Sequence, residues 1–466
     1  AKEQNVKISP ATWRSLTVHF SLAKTPHLKS LFKEHCMEIT ISNKITVKNP
    51  PDPLREALLQ DLKIQNPKYF EAVSAGRSTW GLTPYIYHFE VMSDDSLRIP
   101  RGYREKLLEL AEKIQEPVKI TDRRTLFDHV HVESNIKYRP YQFRAMNELM
   151  TVGPEGMVVA PAGSGKTVIG LSMIPLLGQP CLWLTHTNAL ANQALDRVST
   201  FLPGLKEDDI GLIGNSKWQK GRVITVGMVP TLVRNLTELT LMSNDFGLVI
   251  VDEAHHCPAS TFLKVVGSLN PYYLYGLTAT PYRRDRLEPV MFQALGPERV
   301  RITVEEVKTD GGVIMPTVYY RTVHSRPVHG NNIQKILKEN IIGNDPRNHL
   351  IVGDVLKEAV AGNYCIVLTD RKAHAEILYS LIAVGWEKTG IATGKYSKKY
   401  VEEQSTKLNN KEITVLVCTT QLLGEGFDVA FLNRAFIAMP FRAENKIEQV
   451  IGRIQRVAPG KADAIV

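Results

Sequence analysis

The segment APAGSGKT, residues 160–167, puts a glycine-rich turn between an apolar run, MVVA (157–160), and a helix-like run, VIGLSMIPLL (168–177). In such a turn the backbone N–H groups of Ala162, Gly163, Ser164 and Gly165 can converge on phosphate oxygens at a helix N-terminus. Lys166 is then expected to reach β- and γ-phosphates, and the Thr167 hydroxyl to ligate Mg²⁺. Ala160 stands where the pattern usually has a first glycine. A second segment, LVIVDEAHH (248–256), reads as a buried strand ending in two carboxylates. Asp252 is placed to hold Mg²⁺ through water, and Glu253 to orient and deprotonate an attacking water, which makes the chemistry hydrolysis and not transfer to a hydroxyl. His255 is read as a coupling residue facing another domain, and His256 is assigned nothing. A third segment, QVIGRIQR (449–456), read as a helix, brings Gln449, Arg453 and Arg456 within about 60° of one another. Two guanidiniums and an amide on one stripe predict an anion opposite them.

These groups need elements to hold them. From residue 157 onward, short apolar runs recur at MVVA, CLWLT (181–185), VITVGM (223–228), LVIV (248–251) and YLYGLT (273–278). A second series follows at CIVLTD (365–370), ITVLVCTT (413–420), RAFIAMP (434–440) and ADAIV (462–466). Continuous apolar strands alternating with helices imply parallel sheets covered on both faces. The series are separated by a stretch with Gly311-Gly312, Pro316, Pro327 and Gly330, so two α/β domains are expected at 128–310 and 330–466. Residues 1–125 break that rhythm with scattered prolines and one amphipathic helix, YREKLLELAEKIQ (103–115), and are read as a separate, smaller α+β domain.

At 466 residues the chain is too long for one core. Its net charge of +9 makes a polyanionic partner plausible. No apolar run is long enough to cross a bilayer, and AKEQNVKISP lacks the core of a signal peptide. Five cysteines without a CxxC pair suit reduced thiols in a cytoplasmic protein and argue against a zinc site.

APAGSGKT, DEAH, LTATP (277–281) and QVIGRIQR, in this order, resemble the superfamily 2 helicases and translocases. YRPYQ (138–142) resembles their adenine-reading motif, LTHTNALANQ (184–193) motif Ia, TVGMVPTL (225–232) motif Ib, IVLTDRKAHAEIL (366–378) motif IV and TTQLLGEGFDV (419–429) motif V. The resemblance implies two RecA-like motor domains in tandem that bind ATP and Mg²⁺. It implies Gln142 as the adenine reader, and Thr187, Gln193, Thr225, Thr369, Thr419 and Thr420 near nucleic acid. Gly426 and Asp428 are implied on the nucleotide side. Thr278 and Thr280 would link nucleotide state to grip, Gln449 and Arg453 would meet the γ-phosphate, and Arg456 would be an arginine finger, a group worth ~10³ to 10⁵ in rate. Cleft closure and release then drive translocation, with phosphate contacts blind to sequence.

The compact core with TATPYRRD (278–285), and an N-terminal domain holding GRSTWG (76–81) and IPRGY (99–103), resemble the XPB-like branch, which includes the phage UvsW-type helicases that remodel branched DNA. The implied partner is single-stranded, forked or branched DNA, bound by a monomer, with other replication or recombination proteins and no membrane. An RNA-directed ATPase is the alternative that the core motifs leave open. Lys68, Arg77 and Trp80 suit a junction contact, although Trp80 could equally be a core anchor and the cations a solvated face. PDPLREALLQDLK (51–63) mimics a nuclease pattern through Asp52, Asp61 and Lys63, against which Leu54, Leu58 and Leu62 read as the apolar stripe of a helix. A core of this type would continue past Val466.

Overall fold

Strict alternation in MEITI and KITVK makes the first two strands, β1 (Met37–Ile41) and β2 (Lys44–Lys48), bury every second side chain. The computed structural model describes residues 36–115, 118–256, 260–280, 286–311, 313–323, 333–420, 429, 431–440, 451–458 and 460–466. β1 and β2 join β5 (Glu90–Val91), β6 (Leu97–Pro100) and β7 (Val118–Asp122) in a sheet ordered β5-β6-β2-β1-β7, antiparallel except for the β1–β7 pair. Leu54, Leu58 and Leu62 are fully buried and pack helix Asp52–Asp61 with helix Arg104–Ile114 into the core of this sheet. A short antiparallel pair, β3 (Lys63–Gln65) and β4 (Tyr85–Tyr87), stands apart.

The next sheet runs β11-β10-β12-β9-β13-β14-β8-β15, parallel except for β11. Its members are β8 (Glu155–Val159), β9 (Cys181–Thr185), β10 (Ile210–Gly214), β11 (Lys217–Gln219), β12 (Ile224–Met228), β13 (Leu248–Val251), β14 (Tyr273–Thr278) and β15 (Glu298–Arg301). β8, β9, β12 and β13 are buried at every position, because helices cover both faces, and two apolar clusters form there. A third sheet, all parallel, runs β17-β18-β16-β19, from β16 (Cys365–Thr369), β17 (Thr389–Ala392), β18 (Val415–Thr419) and β19 (Arg434–Ile437). The order is that of two tandem α/β motor domains behind an α+β domain.

Two local expectations change. ADAIV forms no named strand, and its place in the sheet is limited to isolated bridges at Ile465. The proline- and glycine-rich stretch after Gly311 is not simply a connector. Ile314 N–H donates to Gln455 O at 2.7 Å, Thr317 N–H to Ala464 O at 2.9 Å and Tyr319 N–H to Val466 O at 2.8 Å. The chain thus reaches the C-terminal domain well before residue 330, satisfying backbone groups that the prolines leave available.

Candidate active site

Phosphate-loop geometry follows from two glycines in the left-handed region, Gly163 at φ +83° and Gly165 at φ +81°, immediately before helix Lys166–Leu177. A Cβ on Gly165 would lie 2.5 Å from Gln142 Nε2. That amide donates to Ser164 O at 2.9 Å, the Tyr141 hydroxyl donates to the same carbonyl at 3.0 Å, and Gln142 Oε1 accepts Arg139 N–H at 3.0 Å. Gln142, expected as a base reader, therefore also braces the loop. Tyr141 is a second brace that the sequence reading passed over, although it adjoins Gln142 within YRPYQ. Lys166 Nζ rests 3.3 Å from Ala160 O, and Thr167 follows it, half-buried, in the first turn of the helix.

The carboxylates come from the end of β13, whose buried LVIV run stops where Asp252 N–H donates to Leu184 O at 3.0 Å. Asp252 is almost enclosed, and its Oδ1 accepts the Glu253 N–H at 3.0 Å. Burial raises its pKa, the Glu253 charge raises it further, and Lys166 pulls it back. A carboxylate held in this way gains most from a cation beside it. With Thr167 and phosphate oxygens it forms the oxygen-rich donor set that suits Mg²⁺, so the residues present fit the group. Glu253 holds φ +49°, a strained backbone for a non-glycine residue. Its Oε2 lies 3.3 Å from His255 Nδ1, which in turn lies 3.3 Å from the Thr278 hydroxyl. Thr278 Oγ1 donates to Thr280 O at 2.9 Å, while Thr278 O accepts Ala160 N–H at 2.9 Å. The phosphate loop, the carboxylates and His255, Thr278 and Thr280 thus form one continuous network.

The second domain approaches this network through small residues. A Cβ on Gly452 would meet Ala162 Cβ at 2.2 Å, and one on Gly163 would meet Val313 Cγ1 at 2.9 Å. The expected arginine stripe is only partly formed. Residues 451–454 are helical, but Arg456 lies beyond the helix, in an antiparallel bridge with Val313. This backbone pairing across more than a hundred residues overrides the local helical period. Burial lowers the Arg453 pKa to about 10. Burial also lowers that of Arg456, as does Arg197 on helix Asn188–Phe201 of the first motor domain. Gln449, Gly426 and Asp428 lie outside the described residues.

Of the groups expected near nucleic acid, Thr187 caps helix Asn188–Phe201 by accepting Leu190 N–H at 3.4 Å, and both it and Gln193 are half-buried. Thr225 is enclosed and accepts Gly221 N–H at 3.0 Å. Thr369 is enclosed, with its hydroxyl 3.0 Å from His374 Nδ1, and His374 Nε2 is 3.0 Å from Asn348 Oδ1. Thr419 is buried, and the Thr420 hydroxyl donates to Asp370. Thr225 and Thr369 thus spend their hydroxyls internally. Arg77 and Trp80 are both exposed, Trp80 to 94%, so the core-anchor alternative for Trp80 does not hold. Asp52 and Asp61 sit at opposite ends of one helix, about 13 Å apart along its axis. Asp61 accepts the Tyr103 hydroxyl at 2.7 Å and pairs with Lys106, so the nuclease arrangement does not form.

Two family models match in series: the Type III restriction enzyme res subunit over residues 135–283, and the helicase conserved C-terminal domain over 349–458. The DNA 3'-5' translocase XPB2 of Sulfurisphaera tokodaii is 24% identical over 360 residues, 70% of this chain and 80% of that protein. An Acanthamoeba polyphaga mimivirus protein described as an ATP-dependent RNA helicase, L396, is 26% identical over 330 residues, 68% of this chain and 61% of its own length. The chain spans under two thirds, 61% and 65%, of two of the curated relatives it matches. Saccharomyces cerevisiae Dbp5 bound to RNA and ADP BeF3 shares the fold at TM-score 0.51 and 17% identity, over 71% of this chain and 82% of that one. With a matched domain on each side of the cleft and the XPB proteins among its relatives, the motor core of this chain belongs to the superfamily 2 helicases, on the XPB-like branch.

Proposed function

We propose that the chain is a nucleic-acid-dependent ATPase that moves along DNA and remodels branched or forked structures, as in branch migration or the processing of forks and D-loops. One observation carries the reading. The phosphate loop, the DEAH carboxylates and the TATP threonines share a hydrogen-bonded network on one motor domain, and the arginine-bearing segment of the other abuts that loop at Ala162 and Gly452. In this reading Lys166 and the loop amides bind the triphosphate, Glu253 orients and deprotonates water, and Arg453 and Arg456 complement charge at the γ-phosphate. Mg²⁺, held by Thr167 and Asp252, supplies charge neutralisation at the phosphates. His255 and Thr278 transmit the state of Glu253 to Thr280 and the adjoining segments. The preference for DNA rests on the XPB relatives, and acting as a monomer inside the cytoplasm belongs to the same proposal.

The mimivirus relative favours a second reading, an ATPase driven by RNA. Side-by-side ATP turnover with single-stranded DNA, duplex, forked DNA, a Holliday junction and RNA separates the two. The expected result is stimulation by DNA, greatest with branched forms, and a loss of ~10³-fold or more in Lys166→Ala and Arg456→Ala. Stimulation by RNA alone refutes the DNA reading. Full turnover in either variant refutes the assignment of the site.

A further inference from the structure

Strands β3 and β4 are the base of a protruding arm. Residues 66–84 leave the sheet between them as helix Pro67–Ser74 and a loop, and Ala72 is the single buried residue of that insertion. The base is pinned by Asn66 N–H donating to Pro84 O at 2.9 Å and Asn66 Nδ2 to Thr83 O at 2.8 Å. At the tip, Leu82 N–H donates to Thr79 O at 2.9 Å, closing a turn with Gly81 at φ +77° in its third position. That geometry needs the glycine but makes no demand for an indole at the second position, where Trp80 stands. Trp80 N–H donates to Ser78 Oγ at 3.2 Å, so the backbone beneath the ring is ordered while the ring is 94% exposed.

The surroundings are cationic. Between Leu62 and Phe89 the acidic side chain is Glu71 alone, against Lys63, Lys68 and Arg77. Lys63 lies over the Tyr85 ring at 4.2 Å, while Lys68 and Arg77 are exposed with no ion pair among the described residues. An exposed indole on an arm whose charged side chains are mostly cationic matches a base stacked on an aromatic with its phosphates neutralised on the same arm. The arm also exposes Phe70, Val73 and Tyr87, which a protein partner could cover, but the excess of positive charge favours a nucleic acid.

The arm is also rigidly mounted. A Cβ on Gly102 would fall 2.2 Å from Gly296 N and 2.8 Å from Leu295 N, so the α+β domain seats backbone against backbone on the first motor domain. His88, next to β4, is 2.8 Å from Gln293 Oε1 of that motor domain, and Asn43 Nδ2 donates to Gly267 O at 2.7 Å. The base of the arm is therefore tied, through His88 and the α+β domain, to the first motor domain.

We propose that Trp80 is a base-stacking pin that receives an unpaired nucleobase at a branch point, with Arg77 and Lys68 holding the flanking phosphates. The proposal rests on the DNA-motor reading and deepens it. Its test uses the full chain and fluorescently labelled DNA: a fork with unpaired arms, and a fully paired duplex of equal length. Trp80→Ala is expected to weaken fork binding by about 5- to 100-fold, while Trp80→Phe, which keeps a stacking ring, holds it within about 3-fold. Duplex affinity moves little in either variant, whereas Arg77→Ala weakens both DNAs and lowers the salt dependence. Unchanged affinity for both fork and duplex in Trp80→Ala overturns the pin and assigns the surface to a protein partner. A loss in that variant that falls equally on both DNAs also overturns the pin, and makes Trp80 a DNA contact indifferent to strand pairing. If the unaltered chain shows no ATP turnover dependent on any nucleic acid, the underlying motor reading fails instead, which keeps the two failures distinct.

Discussion

Replacing Glu155 by glutamine tests how the α+β domain is held. Glu155 opens β8 and is 1% exposed. Its carboxylate accepts Arg101 Nε at 3.0 Å, pairs with Arg104 and lies 3.6 Å from Arg124 Nη1, while its backbone oxygen accepts Arg299 Nε at 2.9 Å. Burial alone would raise its pKa, but the three guanidiniums outweigh burial and hold it below the usual carboxylate range, so it is charged at neutral pH. Arg101 is 3% exposed and drawn down to about 10 by burial. Glutamine preserves the shape, but its NH₂ group meets guanidinium donors, and Arg101 loses its counter-charge where water cannot replace it. Breaking a buried pair in this way costs about 3 to 5 kcal/mol. For a cooperative unit of about 150 to 250 residues that is a fall in Tm of about 6 to 20 °C, read by scanning calorimetry. Replacing both partners, Arg101→Met with Glu155→Leu, should recover much of the loss, because Arg124 keeps Asp122 at 2.6 Å and Arg104, which is partly exposed, can turn to water. A Glu155→Gln fall in Tm below about 2 °C, or a double variant as unstable as the sum of the singles, refutes the reasoning.

Gly102→Ala places a methyl against the backbone of Gly296 and Leu295, which cannot yield as a side-chain tip could, so a cost of at least about 2 kcal/mol is expected. Hydrogen exchange should accelerate at residues 99–103 and 293–296 while the C-terminal motor domain keeps its protection. His374 is enclosed between Thr369 and Asn348, and burial, with Arg347 nearby, lowers its pKa to about 4. The unfolded chain takes up this proton near pH 6.5 and the folded chain near 4, so between those values the unfolded state binds more protons. The neutral imidazole's contribution is therefore present above pH 6.5 and is lost as pH falls toward 4, by up to roughly 3 kcal/mol. His374→Gln should flatten the stability of the C-terminal motor domain across that window, and an unchanged slope would count against the assignment.

What could be read from the sequence depends on where the stabilising contacts come from. LVIV, CLWLT and YLYGLT announce β13, β9 and β14, because strands buried on both faces need no polar alternation. TGIA (β17) is too small and ERVR (β15) too charged to stand out, and each is held by its place beside a stronger neighbour. The phosphate loop was legible because its chemistry is local. The local period puts Arg456 on a helix, whereas its conformation is fixed by Val313, and the stretch after Gly311 reads as a separator between domains because its partners lie at residues 455–466. Glu155 resembles any polar strand start until Arg101, Arg104 and Arg124 are brought around it by the fold.

The two junctions of the chain are built from different materials, and this bears on which part moves. The α+β domain meets the first motor domain through buried charge, with arginine donors also committed to Pro271 O and Tyr272 O, and through a glycine seated on backbone. Sliding such a contact would leave guanidiniums buried and unpaired, at several kcal/mol each. The motor domains meet beside the phosphate loop through Ala162, Gly163, Val313 and Gly452. Among the described residues these contacts bring small side chains together and include no buried ion pair like that of Glu155, so opening there does not strand a paired charge. In the proposed motor, relative motion would therefore fall to the C-terminal motor domain, with the α+β domain and the first motor domain travelling as one body. On that proposal, a strand gripped by the moving domain is displaced against a platform that carries the Trp80 arm.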